Sequence, residues 1–297
     1  MSKIDLHIHS NCSDDGEFTA LELLRLCKEA QIKYLSITDH NTVRAVSEVL
    51  ALAPKFGMEA ISGVELDCVH MGRNFHLLGY HFDHTLPVFA EIEQDIFKQE
   101  QNAAEQKIAL IQKEIGIPLS TKEVLAAAKG KIVTGELIAE ILLQKEDANE
   151  HETLLPYLNG GARSDNPYVN FYWDFFSQDK AAYVPIHYIS LTEAVELLHD
   201  AGGIAVLAHP AQNLQSNYDL LEQIIKTGID GIEAYSSYHG RIEAAMFDQI
   251  AQRHRLLVTC GSDFHGKIKP SIALCGHRAD ESMPVIIAAL GKMGILK

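Results

Sequence analysis

Lys3-Ile4-Asp5-Leu6-His7-Ile8-His9 opens the chain. Ile4, Leu6 and Ile8 alternate with Asp5, His7 and His9, the period-two pattern of a β-strand, so both histidines can face one side. A second member of this pattern lies near the other end, in Gly261-Ser262-Asp263-Phe264-His265, where Asp263 and His265 are again two residues apart. Between them run further short β-type segments: Tyr34 to Thr38, Glu59 to Val64, Phe75 to Tyr80, Gly203 to Ala208, Gly231 to Ala234 and Leu256 to Cys260. Helical stretches separate most of them, and such alternation predicts parallel strands in an α/β fold. Thr19-Ala20-Leu21-Glu22 and Ser190-Leu191-Thr192-Glu193 read as capping boxes that open two of these helices, the first running to Ala30 and the second ending near Gly202-Gly203.

Nearly every predicted strand runs into a side chain that can hold a metal. The first leads to His7 and His9, the second to Thr38-Asp39-His40, and the third to Gly63-Val64-Glu65. His76 lies in the fourth, His209-Pro210 closes the fifth, and Asp263 and His265 follow the last. The carboxyl ends of parallel strands in a β/α barrel converge on one face, which would gather these residues into one site. A lone His-x-His on a strand is more often a surface or core feature than a ligand. The recurrence at six strand ends is what gives the pattern weight. A mixed histidine and carboxylate set suits Mn, Zn or Fe better than Mg or Ca, which prefer oxygen ligands alone. Glu65 could bridge two ions, and ions roughly 3.5 to 4 Å apart can generate a hydroxide nucleophile and stabilise a leaving oxygen.

The bulk properties exclude several other readings. A chain of 297 residues can bury a large core without disulfides or structural zinc, as one domain or one domain with an insertion. Its five cysteines are odd in number, scattered and free of Cys-x-x-Cys spacing, so neither a disulfide framework nor a thiolate zinc site is expected. A formal charge of -15 opposes long-range attraction to duplex nucleic acid, although part of it can serve as ligand charge for cations. No apolar run approaches the roughly 18 to 20 residues of a membrane span, and Met1-Ser2-Lys3-Ile4-Asp5 lacks a signal-peptide core. A cytoplasmic protein without membrane partners is expected, its oligomeric state open.

The β/α rhythm breaks after Tyr80. Residues 86 to 115 read as a long helix, followed by helical stretches near Lys122 to Ala128 and Gly135 to Gln144, and then by a loop from Asn159 to Pro185. The expected organisation is a metal-binding barrel built from 1–85 and 186–297, with 86–185 an inserted, mainly helical subdomain covering the active site.

Asp5-Leu6-His7-Ile8-His9-Ser10 with Ser13-Asp14-Asp15-Gly16, Thr38-Asp39-His40, His209-Pro210 and Gly261-Ser262-Asp263-Phe264-His265 resemble the motifs of the polymerase and histidinol phosphatase (PHP) superfamily of metallophosphoesterases. The resemblance covers both ends of the chain. It implies a distorted seven-stranded β/α barrel holding two or three divalent ions, Mn, Zn or Fe rather than Mg. His7, His9, Glu65 and Asp263 would hold one ion, and His40, His76, His209 and His265 would complete the others, with Glu65 bridging. Many relatives carry His where this chain has Asp15, so Asp15 becomes the candidate ligand and filling of a third site stays open. Asp39 is expected to orient a ligand histidine.

Within the superfamily, the insertion after Phe75-His76-Leu77-Leu78-Gly79-Tyr80 and the return through Tyr183-Val184-Pro185 resemble the bacterial branch that removes the 3'-phosphate from nucleoside 3',5'-bisphosphates. That branch usually carries a Gly-Arg-x-His-like segment in its insertion, whereas Val133-Thr134-Gly135-Glu136-Leu137 stands here. The expected substrate is a small phosphorylated compound of nucleotide type. Alternatives are another phosphomonoester resembling histidinol phosphate, or the 5' end of a short RNA; an amidohydrolase or a non-catalytic metal-binding module ranks lower. Arg44, Arg163, Lys180, His239 and Arg241 are the candidates for binding a second phosphate, and His187 is a weaker one. Asp263, His265 and His209 are the catalytic candidates. Either histidine could give a proton to the leaving group where it is not committed to metal.

Overall fold

Nine strands carry the fold among the described residues, which in this computed structural model are 3–214 and 217–297. They are β1 (Lys3–Ile8), β2 (Ile32–Ile37), β3 (Glu59–Ile61), β4 (Gly63–His70), β5 (Arg73–Tyr80), β6 (Ile189–Ser190), β7 (Ile204–Leu207), β8 (Gly231–Ser236) and β9 (Leu257–Gly261). By its internal contacts the chain divides into two compact units. One comprises Met1–Ile92, Tyr188–Phe264 and Ile272–Lys297; the other comprises Glu93–His187 and His265–Ser271.

All nine strands lie in the first unit, in two sheets ordered β1-β2-β3 and β6-β4-β5-β7-β8-β9. The first sheet is parallel. In the second, β4 and β6, β7 and β8, and β8 and β9 pair in parallel, but β5 runs antiparallel to both β4 and β7. The architecture is thus mixed α/β, and the expected closed barrel of seven strands is not what the hydrogen bonding gives. Between the two sheets the pairing shrinks to isolated bridges, Ile8 with Phe264 and His40 with Glu65. Both lie where the metal-competent side chains collect.

One predicted strand resolves into two. Glu59 to Val64 breaks at Ser62 into β3 and β4, and a side chain at Gly63 would meet Ser36 Oγ at 2.0 Å and the Ile37 carbonyl at 2.7 Å. Only glycine allows this crossing of β4 over β2. β4 then continues to His70 and turns back through Met71 (φ 51) and Gly72 (φ 76) into β5. Two consecutive left-handed residues in a two-residue loop give the turn whose twist matches a β-hairpin.

Alternation along this hairpin sorts the side chains. Val64, Leu66 and Cys68 of β4 and Phe75 and Leu77 of β5 join one apolar cluster with Leu191, Val195 and Leu198 of the helix Leu191–Asp200. Glu65, Asp67 and His76 therefore face the other way, where Asp67 pairs directly with His76 in register. Helices Ala20–Glu29 and Leu191–Asp200 begin with the two expected capping boxes, built on Thr19 with Glu22 and Ser190 with Glu193.

The second unit has its own apolar core, which includes Ile108, Ile111, Val124, Ile138, Leu142 and Phe171. Helices Thr121–Ala128 and Gly135–Leu143 start at Ser120 and Thr134, whose hydroxyls accept from the main-chain N–H groups of Glu123 and Leu137. The stretch expected to be a loop from 159 to 185 contains a helix, Pro167–Phe175. Its Pro stands in the first turn, where no N–H is needed, and Phe171 packs against Tyr157, Phe175 and Phe176. A side chain at Gly135 would meet the Phe176 ring at 2.6 Å, so glycine there lets these two helices approach.

Candidate metal centre

Four ligand atoms from three parts of the sequence meet at the carboxyl end of β1. His7 Nε2 lies 3.0 Å from Glu65 Oε2, 3.2 Å from Asp263 Oδ1 and 3.1 Å from His9 Nε2. His9 Nε2 is 3.1 Å from both carboxylate oxygens. A tetrahedral ion with ligands about 2.0 to 2.2 Å away separates neighbouring ligand atoms by roughly 3.3 to 3.6 Å, a few tenths of an ångström wider than these spacings. His7 Nδ1 sits 3.0 Å from Glu233 Oε1, a carboxylate that can only accept, so the proton belongs on Nδ1 and the Nε2 lone pair faces the cluster. The donor set fits a divalent cation.

A second cluster shares Glu65. Its other oxygen, Oε1, is 2.9 Å from His76 Nδ1 and 3.0 Å from His209 Nε2. His76 Nε2 lies 3.2 Å from Asp67 Oδ1 and His209 Nδ1 lies 2.9 Å from Asn213 Oδ1, so in each ring the nitrogen remote from Glu65 has an acceptor. A third group combines His9, Asp15 and His40, whose ligand atoms lie within 4.8 Å of one another. His40 Nε2 is 3.9 Å from Asp15 Oδ2 and 3.5 Å from Glu65 Oε2, while its Nδ1 is 3.5 Å from Asp67 Oδ1. Glu65 thus stands at the middle of the arrangement.

The electrostatics follow from burying acids among imidazoles. Burial would depress His7, yet Glu65, Glu233 and Asp263 outweigh it and hold its pKa well above that of an ordinary imidazole. Glu65, Asp67 and Asp15 do the same for His40. Burial would raise Glu65, but His7, His40 and His76 hold it well below the usual carboxylate range. The negative charge that favours protonated imidazoles here would equally favour bound cations.

Backbone conformation sharpens the picture. His209 (φ 24) and Asp263 (φ 58) both adopt left-handed backbone, uncommon for residues with a side chain and concentrated at functional sites. The His209 N–H donates to Glu233 Oε2 at 2.8 Å, and the Asp263 N–H to the His7 carbonyl at 2.8 Å.

Other expected residues fall elsewhere. Asp39 does not hold an imidazole: it accepts from the N–H and hydroxyl of Ser10 at 2.6 and 2.7 Å, and burial pushes its pKa up to about 6 against those bonds. His239 spends both nitrogens on main chain, Nδ1 donating to the Ala234 carbonyl at 2.8 Å and Nε2 accepting from the Ala211 N–H at 3.3 Å. Neither is left to meet a phosphate. Arg44 bonds the Cys12 carbonyl and Thr42, and Arg241 is an exposed residue opening the helix Arg241–His254. In the second unit Arg163 is committed to Asp174 through Nε and a terminal nitrogen, and Lys180 is exposed; His265, by contrast, is fully buried and remains among the candidate ligands.

Two acids escaped the sequence reading. Glu233 stands between buried Ile232 and Ala234 in β8, and a carboxylate inside an apolar strand calls for a partner. Asp67 follows Glu65 by two residues and so shares its face of β4.

Comparison with known proteins matches residues 5–268 to the model of the PHP domain. The chain belongs to the PHP domain family. It is 28% identical over 266 residues to a phosphoribosyl 1,2-cyclic phosphate 1,2-diphosphodiesterase of Eggerthella lenta, covering 89% of this chain and 94% of that one. It is also 28% identical over 273 residues to a 3',5'-nucleoside bisphosphate phosphatase of Chromobacterium violaceum, covering 89% and 88%. A crystal structure from Bifidobacterium adolescentis described as that of a metal-dependent phosphoesterase superposes with a TM-score of 0.74 at 25% identity, over 97% of this chain and 96% of that one. This PHP protein is a metal-dependent hydrolase of phosphate esters. No helix among its described residues is long and apolar enough to cross a membrane.

Proposed function

We propose that this PHP protein removes a phosphoryl group from a small phosphorylated ribose compound, in the first instance the 3'-phosphate of a nucleoside 3',5'-bisphosphate. The observation that carries the reading is the division of Glu65: Oε2 joins His7 and His9, and Oε1 joins His76 and His209. A carboxylate so placed can hold two cations side by side. His7, His9, Glu65 and Asp263 would hold one ion and Glu65, His76 and His209 another. His40 with Asp15, and His265 two residues beyond Asp263 in the same motif, would serve a third. Manganese, zinc or iron suits this mixture of imidazole and carboxylate.

Divalent cations held there supply Lewis acidity toward a phosphoryl oxygen and make a water acidic at neutral pH. The protein's own contribution is orientation. His209 keeps its Nδ1 on Asn213 and so offers Nε2 as a ligand atom, which leaves it no proton for a leaving group. That role then passes to His265 or to water. The nucleotide reading draws support from the bisphosphate phosphatase of Chromobacterium violaceum, while the Eggerthella lenta relative points to a ribose phosphate in cyclic form.

The test is turnover by metal-stripped protein with Mn, Zn, Fe or Mg restored one at a time, read as phosphate release from adenosine 3',5'-bisphosphate, as ring opening of ribose 1,2-cyclic phosphate 5-phosphate, and as mononucleotide release from a short 5'-phosphorylated RNA. Rapid release from the first compound with one metal supports the proposal. Faster turnover of either of the others moves the substrate while leaving the chemistry in place.

A further inference from the structure

Glu233 supplies no atom to the candidate ligand clusters, yet its carboxylate touches a residue of each of two of them. Oε1 faces His7 Nδ1 at 3.0 Å, and Oε2 accepts the main-chain N–H of His209 at 2.8 Å. Glu233 is fully buried. The chain also makes room for it: a side chain at Gly261 would meet Glu233 Oε1 at 2.7 Å and His7 Cβ at 2.1 Å. We infer that Glu233 is a positioning residue that sets the tautomer of His7 and pins the left-handed backbone of His209, so that one carboxylate prepares a ligand for each of two cations.

A carboxylate can do here what an amide cannot. An ionised carboxylate offers acceptors on both oxygens. Here both partners arrive with a hydrogen, Nδ1–H of His7 and N–H of His209. Glutamine has the same shape but only one acceptor. With its oxygen on the His209 N–H, its NH2 faces His7 Nδ1, which must then become an acceptor and move the imidazole proton to Nε2, into the first cluster. With its oxygen on His7, its NH2 opposes the His209 N–H, and the strained backbone loses its anchor. Either arrangement spoils one ligand. Residues that orient metal-bound histidines change affinity by roughly 10- to 100-fold when replaced.

The inference rests on the reading that the clusters take up cations, and the experiment separates the two. Zinc alone is titrated into stripped wild-type protein and E233Q against a chromophoric chelator, with folding followed by circular dichroism. The expected result is a tenfold or greater loss of affinity in folded E233Q for the tightest two ions together. Wild-type affinity in E233Q, or a lower melting temperature with unchanged affinity, overturns the role of Glu233. Failure of the wild-type protein itself to bind zinc overturns the cation reading and this inference with it. If E233Q does not fold, the nitrogen-15 spectrum of zinc-loaded wild-type protein decides: the proton of His7 is expected on Nδ1, and a proton on Nε2 overturns the inference.

Discussion

Glu65 and His209 stand 144 positions apart in the chain and 3.0 Å apart in the fold, Oε1 against Nε2. The other oxygen of the same carboxylate lies 3.0 Å from His7. Replacing Glu65 with Gln leaves one oxygen where two are used, so one cation position loses a ligand and the other keeps only a neutral amide oxygen in place of an anion. Lewis-acid stabilisation is worth several kcal/mol, which corresponds to about 10³-fold in rate. We expect E65Q to lose about that much kcat/KM in phosphate release. A loss of less than tenfold would remove Glu65 from the centre of the mechanism.

Asp263 combines a ligand oxygen with a left-handed backbone, φ 58. Asn tolerates that conformation nearly as well as Asp, so D263N should fold. It supplies a neutral amide in place of the anion beside His7 and His9. Turnover should fall at least a hundredfold, with a circular dichroism spectrum like that of the parent protein. Near-normal turnover refutes the assignment.

Gly261 leaves no space for a methyl group. A Cβ there would lie 2.1 Å from His7 Cβ and 2.7 Å from His7 N. Overpacking of this kind costs about 1 to 3 kcal/mol. G261A should therefore melt earlier and bind cations more weakly, because the atoms displaced carry His7. A variant that binds Mn(II) as well as the parent shows that His7 can move without consequence.

Cation uptake should expel protons. In the ion-free protein the pKa of His7 and of His40 lies well above 6.5, because their neighbouring carboxylates outweigh the burial that would lower it. Near neutral pH both imidazoles then hold a proton that a cation must displace, so affinity should fall as pH is lowered. Calorimetric titration in buffers of different ionisation enthalpy counts the released protons; a heat that does not vary with buffer sinks the prediction. The linkage has a second face. A histidine pKa raised by folding contributes stability that is complete below its unfolded value and lost as pH rises through its folded value. Stripped protein should accordingly lose thermal stability on the alkaline side, and loading with Mn(II) should restore it.

Much of the centre is legible in sequence because strands impose a period of two. His7 with His9 could be assigned to one face from spacing alone, whereas Glu65 and His76 share a face through the β4–β5 register. Asp67 obeys the same spacing but lies beyond Val64, where the third strand is expected to end, whereas β4 in fact continues to His70. The break at Ser62 is hidden by apolar residues on both sides of it, which read as one strand. The antiparallel direction of β5 is equally hidden, since Met71-Gly72 makes a two-residue turn that only φ values reveal. Asp39 chose the hydroxyl and N–H of Ser10 over an imidazole, a choice between equally plausible donors that distance alone decides. The helix Pro167–Phe175 was obscured by flanking Gly, Asn and Pro that normally punctuate loops.

The turn at Met71-Gly72 also works as a gauge. Between it and Glu65 lie about five residues of strand, roughly 17 Å, and no side chain of the turn is a candidate ligand. Yet the count of residues in that turn determines which rung of β5 stands opposite which rung of β4, and hence that Asp67 faces His76. Adding a single residue there, with the tight turn kept, would rotate the alternation of one strand against the other, presenting Phe75 where His76 belongs and hiding the imidazole among the apolar residues. A change of length at the molecule's periphery would thus disarm the chemistry while leaving every reactive group present.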